Sequence, residues 1–163
     1  RDGNPVIFCE HLAMYQLKDE MPEGEHVVPI GKANISRRGK DVTIVGASMT
    51  ARQALVAAEE LAKDGIDAEV VDLRTISPLD ETTILQSVAK TGRLVVADEA
   101  NPVCGIATHV AGIVASKGFS SLHAPVELVT PPHSPVPFSP VLEDAYLPSP
   151  EKIVAAARKA CAR

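Results

Sequence analysis

From Ala33 onward, short unbroken apolar runs alternate with longer stretches in which apolar residues recur at every third or fourth position. The run "VTIVG", Val42 to Gly46, is apolar almost throughout, which marks a strand buried on both faces at the centre of a helix-covered sheet. Met49 to Lys63 places Ala51, Ala54, Leu55, Ala58, Leu61 and Ala62 on one helical face, with Gly65 as a C-terminal stop. "DAEVVDL" is a second buried strand. In "SPLDETTILQSVAK", Ser77 is placed to cap a helix, Pro78 stands where a missing N–H is harmless, and Asp80 closes a capping-box-like arrangement. "RLVVADE" predicts a strand, "GIATHVAGIVASKG" a helix stopped at Gly118, and "PVELVT" a last strand. "LPSPEKIVAAARKACAR" predicts a closing helix entered through Ser149-Pro150. Upstream, "ANISRRGKDVTIVG" reads as two strands joined in a hairpin through Arg38-Gly39-Lys40, with glycine supplying a positive φ. This alternation predicts an α/β fold of three layers. Its mostly parallel five-stranded sheet has one antiparallel edge strand and helices on both faces.

Two segments do not join that rhythm. Pro5 to Glu10 reads as a buried strand with no local partner, and the polar, irregular sequence after it reaches to Lys32. The expected organisation is therefore the end of a preceding unit plus a connection over residues 1–32, then the α/β domain over 33–163. An N-terminal arm wrapped on its own domain is the competing reading. The second segment, "TPPHSPVPFSP" from Thr130 to Pro140, has the composition of a linker, yet it lies between the last strand and the closing helix. A flexible path there would leave that helix poorly anchored, so a fixed extended loop is expected, with Phe138 free to anchor against a neighbour.

Composition narrows the partners. A hydrophobic share of 45% and mean hydropathy of +0.08 belong to a packed domain, and no apolar run approaches the ~20 residues of a membrane span. A net charge of −5 with interspersed cations, 3% aromatics and no Trp argues against nucleic acid as a partner. Cys9, Cys104 and Cys161 are far apart, without metal-ligand spacing, and read as reduced thiols. With no opening of the signal-peptide kind, a cytoplasmic location is expected, or the mitochondrial matrix in a eukaryote.

In open α/β sheets ligands bind beyond the carboxyl ends of the strands, so the turns there are where chemistry is sought. "GASMT", Gly46 to Thr50, can present N–H groups to a phosphate, but it lacks the GxGxxG spacing and reads better as a capped turn. Asp72 and Arg74 form a candidate loop-anchoring pair. Asp98, Glu99 and Asn101 beside Cys104 offer two carboxylates for acid-base work or a hard cation, without an assignable third group. His109 lies in an apolar helix as a packed or interfacial side chain, and His11, His26, His123 and His133 share no motif. No catalytic-triad, metal or phosphate-loop signature is present, so the residues alone predict a fold without a self-contained active site.

Taken together, "VPIGKANISRRGKDVTIV", "GIDAEVVDLRTISPLD", "KTGRLVVADEA" and "FSPVLEDAYLPS" resemble the beta subunit of the thiamine-diphosphate-dependent decarboxylase component of 2-oxo acid dehydrogenase complexes. The resemblance covers essentially the whole chain. It implies a transketolase C-terminal-like domain from Ala33 on, with "NPVIFCEHLAMY" matching the last strand of the preceding pyrimidine-binding domain. For the intact enzyme it implies decarboxylation of a 2-oxo acid and reductive acylation of a lipoyl group, with thiamine diphosphate and Mg2+ as cofactors not bound by this chain alone. The implied partners are an alpha subunit, a second beta subunit and the peripheral-subunit-binding domain of the lipoyl acyltransferase. The subunit interface would include His133, Pro135, Pro137 and Phe138. Acyltransferase docking would involve His123, Glu127 and Arg163. His123 stands where relatives carry an acidic residue before Ala-Pro, and Glu127 or Glu151 can supply the missing charge. Pyruvate, branched-chain 2-oxo acids and acetoin all remain open as substrates, and "PVPFSP" is similar to the acetoin-cleaving members. A free-standing nucleotide-binding module and a purely structural dimerisation domain are the alternatives.

Overall fold

The computed structural model describes residues 3–7, 9–18, 20 and 22–162. Five strands, β1 (Asn34–Arg37), β2 (Val42–Gly46), β3 (Ala68–Asp72), β4 (Leu94–Ala97) and β5 (Glu127–Val129), form one sheet in the order β1-β3-β2-β4-β5. β3, β2, β4 and β5 run parallel, and β1 pairs antiparallel with β3 at one edge. The helices are α1 (Met49–Lys63), α2 (Glu81–Thr91), α3 (Ile106–Lys117), α4 (Pro140–Tyr146) and α5 (Pro150–Cys161). Because side chains alternate along a strand, Val42, Ile44, Ala68 and Val70 face one layer while Val45, Val71 and Val96 face the other. On the first side, Ala54, Ala57, Ala58 and Leu61 of α1 pack with Ile153, Val154 and Ala157 of α5. On the second, Ile84 and Val88 of α2 pack with Ala107, Val110 and Val114 of α3. The expected three-layer α/β sheet with one antiparallel edge strand is borne out. None of the helices among the described residues is long and apolar enough to cross a membrane.

Five local expectations are corrected. β1 and β2 are not a hairpin, since β1 pairs with β3. Gly39 is required for a different reason than a positive φ: a Cβ there would lie 2.3 Å from the Ala68 carbonyl carbon, so the loop passes directly over β3. α2 is capped by Asp80, not Ser77. The Asp80 carboxylate accepts from Thr83 N–H at 3.2 Å and the Thr83 hydroxyl at 2.9 Å, and from Ala33 N–H at 3.1 Å, tying the entry of β1 to the helix start. Burial pushes that carboxyl up, but these hydrogen bonds outweigh it and hold it below its ordinary value. The described residues of Pro5 to Glu10 form no strand, and Val6 and Ile7 are 70% and 91% exposed, so their apolar pattern is not buried against the described residues. Finally, α4 went unforeseen between the proline-rich stretch and the closing helix. Ser139-Pro140 is the same helix-entry signature as Ser149-Pro150, where Ser149 Oγ accepts from Lys152 N–H at 3.3 Å.

Candidate functional site

At the carboxyl edge of the sheet, the turns after β2, β3 and β4 each hold one non-glycine residue at positive φ: Ser48 (53°), Arg74 (54°) and Cys104 (61°). The turn after β2 closes on itself. Thr50 N–H donates to Ala47 O at 3.1 Å, the Thr50 hydroxyl donates to the same carbonyl at 2.9 Å, and Ala47 N–H donates back to Thr50 Oγ1 at 3.0 Å. N–H groups engaged in this way are not held open for a phosphate, which matches the capped-turn reading of Gly46 to Thr50.

After β3, Asp72 Oδ1 accepts from Arg74 N–H at 3.1 Å and Oδ2 lies 4.0 Å from Arg74 Nε, so this pair anchors its loop as expected. After β4 the two carboxylates diverge. Asp98 accepts from Ala100 N–H at 3.0 Å and Ala107 N–H at 3.2 Å, bracing the start of α3, while Asn101 Oδ1 accepts from Val103 N–H at 3.1 Å. Glu99 turns instead to His11, whose Nε2 lies 3.1 Å from Oε2. No group of three or more His, Cys, Asp and Glu side chains that could hold a metal ion occurs among the described residues.

His11 belongs to the entering segment, which passes along this edge. Its contacts are with Glu99 after β4, Ser48 after β2 (Ser48 Oγ to Met14 Sδ, 3.5 Å) and Thr75 after β3 (Gly31 N–H to Oγ1, 3.1 Å). His11 shares no motif with its partner Glu99, which lies 88 residues away, and only the sheet order brings the two together.

The proline-rich stretch is ordered by its own helix. Tyr146 Oη donates to Ser134 O at 2.8 Å, and Lys152 Nζ donates to Ala145 O at 2.6 Å, tying α4 to both the loop and α5. His133 and Pro135 are exposed, Pro137 is half-buried and Phe138 is fully exposed, at 102%. Val141 and Leu142 are exposed on α4, which buries none of its own residues.

The docking residues are dispersed. His123 is exposed and packs on the C-terminus of α2: its N–H donates to Gly92 O at 2.7 Å, and a Cβ on Gly92 would lie 2.3 Å from its Nδ1. Glu127 is committed to Lys159 of α5 at 2.7 Å. Glu151 stands in the first turn of α5, where the Ser149 hydroxyl and its own N–H hold its carboxyl below the ordinary value. Arg163 lies outside the described residues. His109 and His26 are exposed.

A charged network that the sequence analysis missed lies on the α2 side of the sheet. Glu69, 0% exposed in β3, accepts from Ser87 Oγ at 2.6 Å, from Gly39 N–H at 3.4 Å and from Lys90 Nζ. Thr43 bonds Ser87 and Thr91, both at 2.7 Å, and so extends the network to β2. Burial pushes the Glu69 carboxyl up, but bonds from Lys90, Ser87 and Gly39 prevail and hold it below the ordinary carboxylate value. A Glu inside an otherwise apolar strand was the available signal, since a buried charge requires a partner.

This sheet order, with helices on both faces and self-closed turns at the carboxyl edge, defines a doubly covered α/β domain. The chain belongs to the transketolase C-terminal domain family, whose pattern matches residues 31–153. It is 58% identical over 159 residues to the acetoin:2,6-dichlorophenolindophenol oxidoreductase subunit beta of Cupriavidus necator, covering 98% of this chain and 47% of that one. It is 44% identical over 160 residues to the pyruvate dehydrogenase E1 component subunit beta of Bacillus subtilis, covering 98% and 49%. A solved structure, "Split gene transketolase, inactive beta4 tetramer", matches with a TM-score of 0.74 at 29% identity, over 88% of this chain and 46% of that one. The resemblance to beta subunits seen in the sequence is thus borne out, and the chain spans about half the length of the curated relatives it matches.

Proposed function

We propose that the chain is the C-terminal domain of the beta subunit of a thiamine-diphosphate-dependent enzyme that cleaves acetoin oxidatively. The observation that carries this is the identity gradient: 58% to an acetoin-cleaving beta subunit against 44% to a pyruvate-cleaving one, over the same share of the chain. Thiamine diphosphate, when bound with Mg2+, supplies the electron sink for breaking the carbon–carbon bond. The described residues do not fit that group. The turn at Gly46 to Thr50 is closed by Thr50, and the carboxylates after β4 point to separate partners. No step of that cleavage falls to the described residues, and the cofactor is held by the preceding domain and the alpha subunit. Its own role is assembly with an alpha subunit and a second beta subunit in a cytoplasmic enzyme. Residues 1–32 form the connection from the preceding domain, a division supported by the start of the family match at residue 31 and by the exposed Val6 and Ile7. The test is to assay the complete beta subunit, reconstituted with its alpha partner, on acetoin, pyruvate and 2-oxoisovalerate with a dye acceptor. Turnover of acetoin at least about ten-fold above the others is expected, which corresponds to about 1.4 kcal/mol of transition-state preference; faster pyruvate turnover would reverse the assignment.

The acyltransferase's peripheral-subunit-binding domain is proposed to dock on the surface around His123. With Glu127 already neutralised by Lys159, that surface offers little fixed negative charge to a basic module. Docking is therefore expected to depend weakly on salt. His123→Glu is expected to tighten it and to steepen the salt dependence, as read by titrating the assembled enzyme with the isolated binding domain at several ionic strengths. Absence of binding by both forms would sink the docking assignment.

A further inference from the structure

We propose that Ser48 is a nucleophile that accepts acyl groups, with His11 as its base and Glu99 as the group that positions His11. Ser48 occupies the turn between a buried parallel strand and a 15-residue helix, with φ 53° and ψ −123°. That strained strand-to-helix turn is the backbone of a nucleophile elbow, which lifts a serine hydroxyl clear of the sheet and sets the next N–H at a helix start, where it has no intrahelical partner. The residue two places before must lack a side chain for strand and helix to approach. Here it is Gly46, where a Cβ would lie 2.8 Å from both Ala51 N and the Thr50 carbonyl carbon. Thr50 stands in the position of the motif's second glycine and is accommodated by its hydroxyl bonds to Ala47.

The second and independent observation is the imidazole. His11 Nε2 faces the Glu99 carboxylate at 3.1 and 3.3 Å, which places the proton on Nε2 and leaves the lone pair on Nδ1. Nδ1 itself is buried, within an imidazole that is 29% exposed, and has no hydrogen-bond partner among the described residues. An imidazole nitrogen left with its lone pair unengaged is open to a hydroxyl donor. His11 and Ser48 line the same cavity of about 310 Å3, together with Cys9, Glu10, Met14 and Tyr15. The Ser48 hydroxyl rests on Met14 Sδ at 3.5 Å, a weak acceptor, and must turn from there to meet the imidazole in the reacting state.

The substrate class is a short-chain acyl ester. Ser48 Oγ forms a bond to the carbonyl carbon as its proton passes to His11 Nδ1, and the oxyanion faces Met49 N–H. The carbon–oxygen bond to the alcohol then breaks, and the alcohol leaves with the proton from His11. Water repeats the sequence to release the acid and restore Ser48. This site is independent of the assembly role proposed above.

The experiment is to treat the protein with an alkyl fluorophosphonate and locate the adduct by peptide mass. One adduct on Ser48 is expected, with none in Ser48→Ala and at least ten-fold slower labelling in His11→Gln. Glu99→Gln, as a positioning variant, is expected to shift the pH dependence of labelling, which a merely structural role would not. Circular dichroism checks each variant's fold, and His11→Gln carries the test if Ser48→Ala unfolds. A folded parent that stays unlabelled at Ser48, or His11→Gln labelling at the parent rate, would overturn the proposal.

Discussion

Replacing Glu69 by alanine is expected to lower the unfolding free energy by about 2–3 kcal/mol, because the carboxylate is buried and hydrogen-bonded while its Lys90 partner, 43% exposed, is screened by solvent and holds the loss below that of a fully buried pair. The substitution leaves the Ser87 hydroxyl, the Gly39 N–H and the Lys90 ammonium without their acceptor at the junction of β1, β3 and α2. Chemical denaturation with an unchanged m-value is the measurement. The same group sets an acid limit. Its folded-state pKa lies below the unfolded value of about 4.3, so its contribution is complete above that value and is lost as the pH falls through the folded pKa. Glu69→Gln is expected to be less stable at neutral pH and to show a shallower loss of stability on acidification than the parent. An acid limb identical in both proteins would show that Glu69 does not contribute it.

The second large effect is on assembly. Phe138 is fully exposed, and Val136, Val141 and Leu142, close to it in sequence, are exposed as well, a segment of unburied apolar side chains. A segment of this kind on a loop fixed by the Tyr146–Ser134 bond is preorganised for a partner, and a central aromatic anchor carries a disproportionate share of such an interface. Phe138→Asp is expected to weaken association with the alpha subunit by at least about 30-fold, equivalent to about 2 kcal/mol. The thermal midpoint of the chain should stay within about 3 °C of the parent, as for an exposed site. Sedimentation of the assembled enzyme at falling concentrations reads the first quantity and calorimetric melting the second. Undiminished association would place Phe138 outside the interface.

Much of this fold was written in local patterns. The apolar runs at Val42–Gly46 and Ala68–Asp72 and the three-and-four spacing of α1 required covering on both faces, which is what a mostly parallel sheet provides. What local pattern could not carry was pairing at a distance. β1 joins β3 over a separation of more than thirty residues, although a glycine turn beside β2 offered a nearer partner. The reason lies at Gly39, whose value is the passage of one backbone over another, a requirement invisible without β3 in place. The His11–Glu99 pair and the Glu69 network are of the same kind, each made by elements that only the sheet order brings together. Positive φ at Ser48, Arg74 and Cys104 likewise left no compositional mark, since none of the three is a glycine or asparagine. α4 is different: Ser139-Pro140 announced it, and the surrounding prolines masked the signal.

On the proposed function, this domain contributes architecture to a thiamine-diphosphate enzyme and leaves the cofactor to its partners. The decisive measurement is titration calorimetry of thiamine diphosphate with Mg2+ into the chain alone, and into the enzyme assembled from complete alpha and beta subunits. Micromolar binding confined to the assembled enzyme is the predicted result, and micromolar binding to the chain alone would contradict it.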